Sequence, residues 1–319
     1  MQRWGKTRAG TQRYRCRLCA TTAVRSRPDS RARIYQRLFV RWLTKSTHLV
    51  GLARENHCTI RTLQTRFKSY WSFEPRPKCP SFQPTIIVLD GLGIVSRRLV
   101  VLVIQDPLHR QPISWTFASH ESYEHWLGAL YPLRKAGINP TYAVCDGQRG
   151  LLKALSAVWP NIKLQRCLIH VIRQARAWLT QRPKTPAGQV LLCLVKDLLM
   201  VRTRRQRRRW IRRYRRWLTR YDNFFKERTY STGVKRRWWY THRKLRAVRS
   251  LITNSLPYLF TFVRYPEVPR TSNHVEGGIN SRLKDLMRIH RGLPPERKRI
   301  LVAWYLATRQ GQKPTRNFY

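Results

Sequence analysis

Apolar residues recur along this chain at two spacings, and the change from one to the other divides it. From Ile34 to Trp71 the steps are three and four residues, with Ile34, Leu38, Phe39, Trp42 and Leu43 on one helical stripe. The stretch THLVGLARENHCTIRTLQTRFKSYW then reads as helix, short turn, helix. Leu49, Leu52 and Ala53 pack the first helix, Asn56-His57-Cys58 make the turn, and Thr59 caps a second helix that turns Ile60, Leu63 and Phe67 inward. Prolines at 75, 77, 80 and 84 form a stiff linker. Beyond it the pattern becomes strand-like: TIIVLDGLGIV, RRLVVLVIQD and QPISWTFAS are short runs bounded by turn residues, and they predict an antiparallel meander. ESYEHWLGALYPLRKAGI follows as a helix, TYAVCD as a strand, GQRGLLKALSAVWP as a helix and IKLQRC as a last strand. The order β-β-β-α-β-α-β limits the α/β fold to few candidates. Between His170 and Thr271 the chain reads as helical, with Trp210, Ile211, Tyr214, Trp217, Leu218 and Tyr221 as one packed stripe.

Charge changes the picture. The chain has 65 Lys and Arg against 15 Asp and Glu, a formal net charge of +50 over 319 residues. Such a chain repels itself without a polyanionic partner, and nucleic acid is the expected one. An anionic membrane surface competes, but the sequence shows neither a long apolar run nor a signal-peptide pattern, so an intracellular protein without a membrane partner is expected. On the second short helix Arg61, Thr62, Gln64, Thr65 and Arg66 face outward, the residue types that a recognition helix presents to bases and phosphates. An ordinary helical hairpin is the alternative. Around the aromatic stripe, arginines that include Arg208, Arg212 and Arg216 are expected to contact phosphates. Trp238, Trp239 or His242 is a candidate to stack on a displaced base.

The seven cysteines, an odd number, argue against a disulfide framework. Cys58, Cys145 and Cys193 have apolar neighbours and read as core thiols. Cys16 and Cys19 form a C-x-x-C, half of the four ligands that a structural zinc site needs. Either the true start lies before Met1 or this knuckle binds nothing.

Acids are rare enough to be sorted by context. Asp90 follows the apolar run Ile86 to Leu89, and Asp146 follows Ala143-Val144-Cys145, so each is read as the end of a central strand, where ligands and chemistry gather. Asp90-Gly91 and Asp146-Gly147 also read as plain turns. Glu276 lies in TSNHVEGGINSRLKD, where Asn273 and Glu276 have the spacing of a capping box and Val275, Ile279, Leu283 and Leu286 make the packed stripe. It stands above Asn280 and Lys284, free to reach a shared site. Gly277 and Gly278 weaken that helix, as close passage of another backbone or a DNA strand would require. Three carboxylates in so basic a chain suit two magnesium ions acting at one phosphodiester, while lysines and arginines such as Lys284 hold the DNA.

VLDG, AVCDG, RCLIH and TSNHVEGGINSRLK, in this order and with these gaps, resemble the DDE transposases of bacterial insertion sequences in the mutator-like group. The resemblance covers about residues 84 to 310. It implies an RNase H-like catalytic domain with an all-helical insertion, and Asp90, Asp146 and Glu276 as catalytic, metal-binding triad. It also matches Cys167 and His170 to a C-x-x-H element, for which a packing role at the helix start stays open. The expected organisation is a partial zinc-ribbon-like segment at 1–30, a helix-turn-helix region at 31–74, a linker at 75–84, the catalytic domain at 85–310 with its insertion at about 180–265, and a tail at 311–319. The implied activity is cleavage and strand transfer at the element's terminal repeats, with magnesium or tolerated manganese, by a homodimer or larger assembly in a prokaryotic cytoplasm, near the nucleoid. A structure-selective nuclease and a catalytically silent DNA-binding descendant are the rivals.

Overall fold

The structure, a computed structural model, describes residues 1–8, 10–24, 30–45, 47–231, 237–272 and 276–312. It divides into two compact units, one of residues 1–74 with those from 312 onward, the other Pro75–Gly311. Among the described residues no helix is long and apolar enough to cross a membrane.

The first unit opens with three antiparallel strands, β1 (Gln2–Lys6), β2 (Gln12–Arg15) and β3 (Thr22–Val24), in that order. Cys16 and Cys19 sit in the turn between β2 and β3, which is closed by Cys16 N–H donating to Thr21 O at 2.9 Å and Ala20 N–H donating to Cys16 O at 3.1 Å. Three helices follow: α1 (Ser30–Thr44), α2 (Leu49–Glu55) and α3 (Ile60–Phe67). Thr59 caps α3 as the sequence indicates, its hydroxyl accepting from Thr62 N–H at 3.1 Å. Phe39, Leu43, Leu52, Leu63 and Phe67 are buried together, with the Phe39 and Phe67 rings 5.3 Å apart. Ile34, placed on the stripe by its spacing, is instead 49% exposed. It stands a full turn before Leu38, near the helix start.

In the second unit all seven elements expected from the apolar pattern are present in order: β4 (Ile86–Val95), β5 (Leu99–Asp106), β6 (Gln111–Ala118), α4 (Tyr123–Lys135), β7 (Tyr142–Cys145), α5 (Arg149–Val158) and β8 (Lys163–Arg166). They build one mixed sheet in the order β6-β5-β4-β7-β8, antiparallel from β6 to β4 and parallel from β4 to β8. Alternation along the central strands serves two cores. Ile87, Leu89, Ala143 and Cys145 pack with Trp126 and Leu130 of α4 and Leu151 and Leu155 of α5. Ile86, Val88, Tyr142 and Val144 pack on the opposite face, where α6 (Leu168–Leu179), α7 (Pro186–Asp197), α8 (Arg204–Arg220) and α10 (Arg243–Ser255) gather.

The aromatic stripe of α8 is core. Trp210, Tyr214 and Trp217 are buried and stack in series, and both indole N–H groups donate to carbonyls of α7, at Leu194 and Ala187. The insertion is not all helical. After α9 (Asp222–Lys226), β9 (Arg228–Tyr230) and β10 (Trp238–Tyr240) form an antiparallel hairpin. Three consecutive aromatics favour a strand over a helix, and Arg228 over Trp238 and Arg246 over Tyr240 cover their faces, at 4.1 and 3.5 Å. The segment is too short for periodicity to reveal. Of the three cysteines read as core thiols, Cys145 is buried, Cys58 is half-buried and Cys193 is exposed on α7. A short α11 (Thr261–Arg264), a π-helical turn (Glu276–Asn280), α12 (Ser281–Ile289) and α13 (Pro295–Arg309) complete the unit. Ile279, Leu283 and Leu286 are buried as expected, and Val275 lies outside the described residues.

Candidate active site

Strand β7 stops at Cys145, whereas β4 runs on to Val95. Their parallel register pairs Ile86 with Tyr142, Ile87 with Ala143 and Val88 with Val144. Continued along both chains, the same offset brings Asp90 level with Asp146. Asp90 shares the parity of Val88, so its side chain leaves the sheet on the α6 face, while Asp146 is the first residue past the end of β7. Asp90 is not at a strand end, as its sequence context suggested; it lies inside β4, opposite Val103. The strand continues because β5 still pairs with it after β7 has ended. The sheet therefore opens beside Asp90 on one flank only.

Asp90 is 8% exposed and accepts a hydrogen bond from Asn280 Nδ2 at 2.5 Å. Asn280 is itself buried and ends the π-helical turn, so this bond docks the turn that begins at Glu276 onto β4. The side chain of Glu276, like Asn273, lies outside the described residues.

Asp146 is half-buried and its Oδ1 accepts from Gln148 N–H at 2.9 Å. Gln148 caps α5 with its Oε1, accepting from Leu151 N–H at 2.9 Å, and its Nε2 donates to the Glu121 carbonyl at 3.0 Å. Arg166, at the end of β8, donates from Nε to the Asp146 carbonyl at 2.9 Å and from Nη1 to Ser255 Oγ at 2.5 Å. Between them Gly147 has φ of +81°, and a Cβ there would stand 2.4 Å from Arg166 Nε. Gly147→Ala is thus expected to cost about 1–2 kcal/mol for its left-handed backbone alone, and to push Arg166 off both acceptors. A urea unfolding midpoint equal to the native one would contradict this.

Glu121 was not singled out by the sequence, which absorbed it into the helical run of α4. It stands outside that helix, one residue before the cap Ser122, whose Oγ accepts from His125 N–H at 3.2 Å. Its carboxyl presses on Gly91, where a Cβ would lie 2.3 Å from it. Burial first, then the charges of Asp146 and Asp90, push this carboxyl up to about 7. The scarcity of acids was the available signal: among 15, one stands three residues after the end of the third strand of the sheet. Among the described residues, no group of three or more His, Cys, Asp or Glu stands close enough to hold one metal ion.

Cys167 and His170 are brought together at the start of α6. Cys167 is fully buried, and its Sγ accepts from Ser272 N–H at 3.3 Å and Ser272 Oγ at 3.2 Å. Burial acts to raise this thiol, but hydrogen bonds from His170 and Ser272 outweigh it and bring the thiol below its ordinary range. The neighbouring Cys145 is pushed the other way, up to about 12, by burial and the charge of Asp146. With Leu168 N–H donating to Arg270 O at 3.1 Å, the chain leading towards Glu276 is fastened beside the ends of β7 and β8. Cys19 is exposed; hydrogen bonds from Thr21 and Cys16 hold its thiol down to about 7.

The candidate DNA contacts fall in both units. On α3, Arg61, Gln64 and Arg66 are exposed, while Thr62 is half-buried with its hydroxyl 2.9 Å from that of Thr59. Arg208, Arg212 and Arg216 line the exposed face of α8 at four-residue steps, and Lys284 is exposed on α12. Trp238 and Trp239 are 46% and 37% exposed, but His242 stacks on Phe224 at 3.6 Å and lies 2.8 Å from Glu227, so its ring is already engaged.

Part of this chain is similar to known proteins. Residues 91–195 match the family described as Transposase, Mutator family, a stretch that runs from the residue after Asp90 through Glu121, Asp146, Cys167 and His170. The chain is 33% identical over 107 residues to a probable transposase for an insertion sequence element of Corynebacterium diphtheriae, covering 33% of this chain and 31% of that protein. It is 32% identical over 66 residues to the transposase for insertion sequence element IS1201 of Lactobacillus helveticus, covering 20% of this chain and 18% of that one. The match thus spans about a third or less of these relatives' length. The resemblance to mutator-group transposases of bacterial insertion sequences is borne out over residues 91–195, which hold the AVCDG and RCLIH motifs but not that of Glu276. A cryo-EM structure of a simian T-cell lymphotropic virus intasome in complex with PP2A regulatory subunit B56 gamma matches at 11% identity and a TM-score of 0.22, over 64% of this chain and 68% of that one. That similarity is too distant to bear on the fold.

Proposed function

We propose that this chain is the transposase of a bacterial insertion sequence, which binds the ends of its element, cleaves a phosphodiester there and joins the freed 3′-hydroxyl to target DNA. Asp90 inside β4, level with Asp146 just past the end of the neighbouring parallel strand β7, carries this reading. The strand order, three antiparallel strands followed by two parallel ones, supports an RNase H-like domain.

The donor set fits a hard divalent ion: two carboxylates stand level where the sheet opens, in a chain where cations outnumber acids more than fourfold. Asp90 and Asp146 would hold magnesium, with Glu276 closing the site. Two such ions would supply charge stabilisation for an attacking and a leaving oxygen at one phosphodiester. The chain's own residues orient these groups. Asn280 fixes one oxygen of Asp90, Gln148 N–H fixes one of Asp146, and the Cys167–His170–Ser272 cluster anchors the approach to Glu276. Exposed arginines on α3 and α8, and Lys284, are placed to neutralise phosphates. Two DNA ends must meet, so a homodimer or larger assembly is expected, acting in the cytoplasm on chromosomal DNA.

The test uses end-labelled DNA carrying the element's own termini, magnesium, and either native protein or Glu276→Gln. Cleavage and joining by the native protein alone is the expected result. Cleavage without joined products points to a nuclease on the same fold. Binding by both proteins with cutting by neither would overturn the enzyme reading in favour of a silent DNA-binding descendant.

A further inference from the structure

We propose that Glu121 is a positioning residue of this same centre: held against β4 at Gly91, behind Asp90 and close to Asp146, it concentrates negative charge where a divalent cation lands and so sets the site's affinity for it. The inference rests on the metal-site reading above and adds a residue that neither the motifs nor the triad includes. Packing places it. The Glu121 carboxyl fills the space where any side chain at position 91 would begin, so it lies against β4 one residue on from Asp90, on the face opposite to the one the Asp90 side chain leaves. Its main chain is tied by Gln148 Nε2, and the N–H of that same Gln148 holds the Asp146 carboxylate. Glu121 and Asp146 are therefore set by one cap residue, and Glu121 rests on the strand that carries Asp90.

Its partners make the placement unusual. The chain offers 65 Lys and Arg, yet among the described residues Glu121 forms no ion pair; only Trp126 and His170 favour its charged form, and burial with the charges of Asp146 and Asp90 outweighs them. A carboxylate so placed repels the two other acids in the metal-free protein, and an arriving cation relieves that repulsion. It need not touch the ion. Groups beyond the direct ligands commonly change metal affinity by about 10- to 100-fold.

The experiment is calorimetric titration of the full chain with magnesium, for native protein, Glu121→Gln, Glu121→Asp and the double variant Asp90→Asn/Asp146→Asn, with thermal melts in EDTA alongside. We expect Glu121→Gln to bind magnesium about tenfold more weakly while melting, metal-free, at or above the native temperature. Glu121→Asp, which keeps the charge, should stay within about threefold of native. Native-like affinity in Glu121→Gln, with binding lost in the double variant, overturns this proposal and leaves the site reading intact. Magnesium binding unaffected by the double variant, or absent from the native protein, overturns both. A metal-free melt of Glu121→Gln well below native, with Glu121→Asp equally impaired in affinity, assigns Glu121 a structural role instead.

Discussion

Asp146→Asn is expected to reduce magnesium-dependent cleavage of element-end DNA by about a thousandfold or more, with DNA binding retained. The substitution removes one charge and little else. The Asn carbonyl can still accept from Gln148 N–H, and the main-chain oxygen bonded by Arg166 is untouched. Repulsion with Glu121 is relieved, so the melting temperature should hold or rise slightly. Charge stabilisation from a divalent ion at a phosphoryl oxygen is worth several kcal/mol. At 1.36 kcal/mol per factor of ten, losing about 4 kcal/mol gives the expected drop. Full cleavage by the variant, at equal protein and magnesium, would remove Asp146 from the chemistry.

In metal-free protein, Glu121→Gln should be more stable than native at pH 8 and indistinguishable from it near pH 4. The folded Glu121 carboxyl keeps its proton up to about pH 7, whereas its ordinary value is 4.5, so folding takes up a proton inside that window. The folded state then binds more protons than the unfolded one, and stability falls as pH rises from about 4.5 through 7. Glutamine has no such proton to lose. Taken whole the displacement is worth about 3 kcal/mol; solvent screening of a partly exposed group lowers the expected gain at pH 8 to about 2 kcal/mol. Urea unfolding in EDTA at several pH values reads it directly. Parallel stability curves for the two proteins would show that Glu121 carries no buried charge.

Much of this chain declares itself locally. Seven elements of the sheet domain followed from where apolar runs change period, because strands buried on both faces need continuous β-branched runs and their covering helices need a stripe. Thr59 as a helix cap and the aromatic stripe of α8 were legible for the same reason: each depends on residues within a few positions of itself. The hairpin β9–β10 was not, since three-residue strands leave no period to detect. Nor was the exposure of Ile34 and Cys193, which depends on where each helix is covered.

The two aspartates were legible as rare acids after apolar strands, but their level alignment needed the parallel register of β4 and β7, a relation between segments 56 residues apart. Asp90 was misplaced at a strand end because one strand of the pair stops before the other, and no single run records its neighbour's length. Asn280 bonding Asp90, and Glu121 lying on Gly91, join residues that only folding brings together. What the sequence determined by itself was the order of elements, the charge that calls for a polyanion and the scarcity of acids. Which acids share one place, and how each is held there, was decided by tertiary structure, because carboxylates act on each other through a few ångströms of space rather than along the chain.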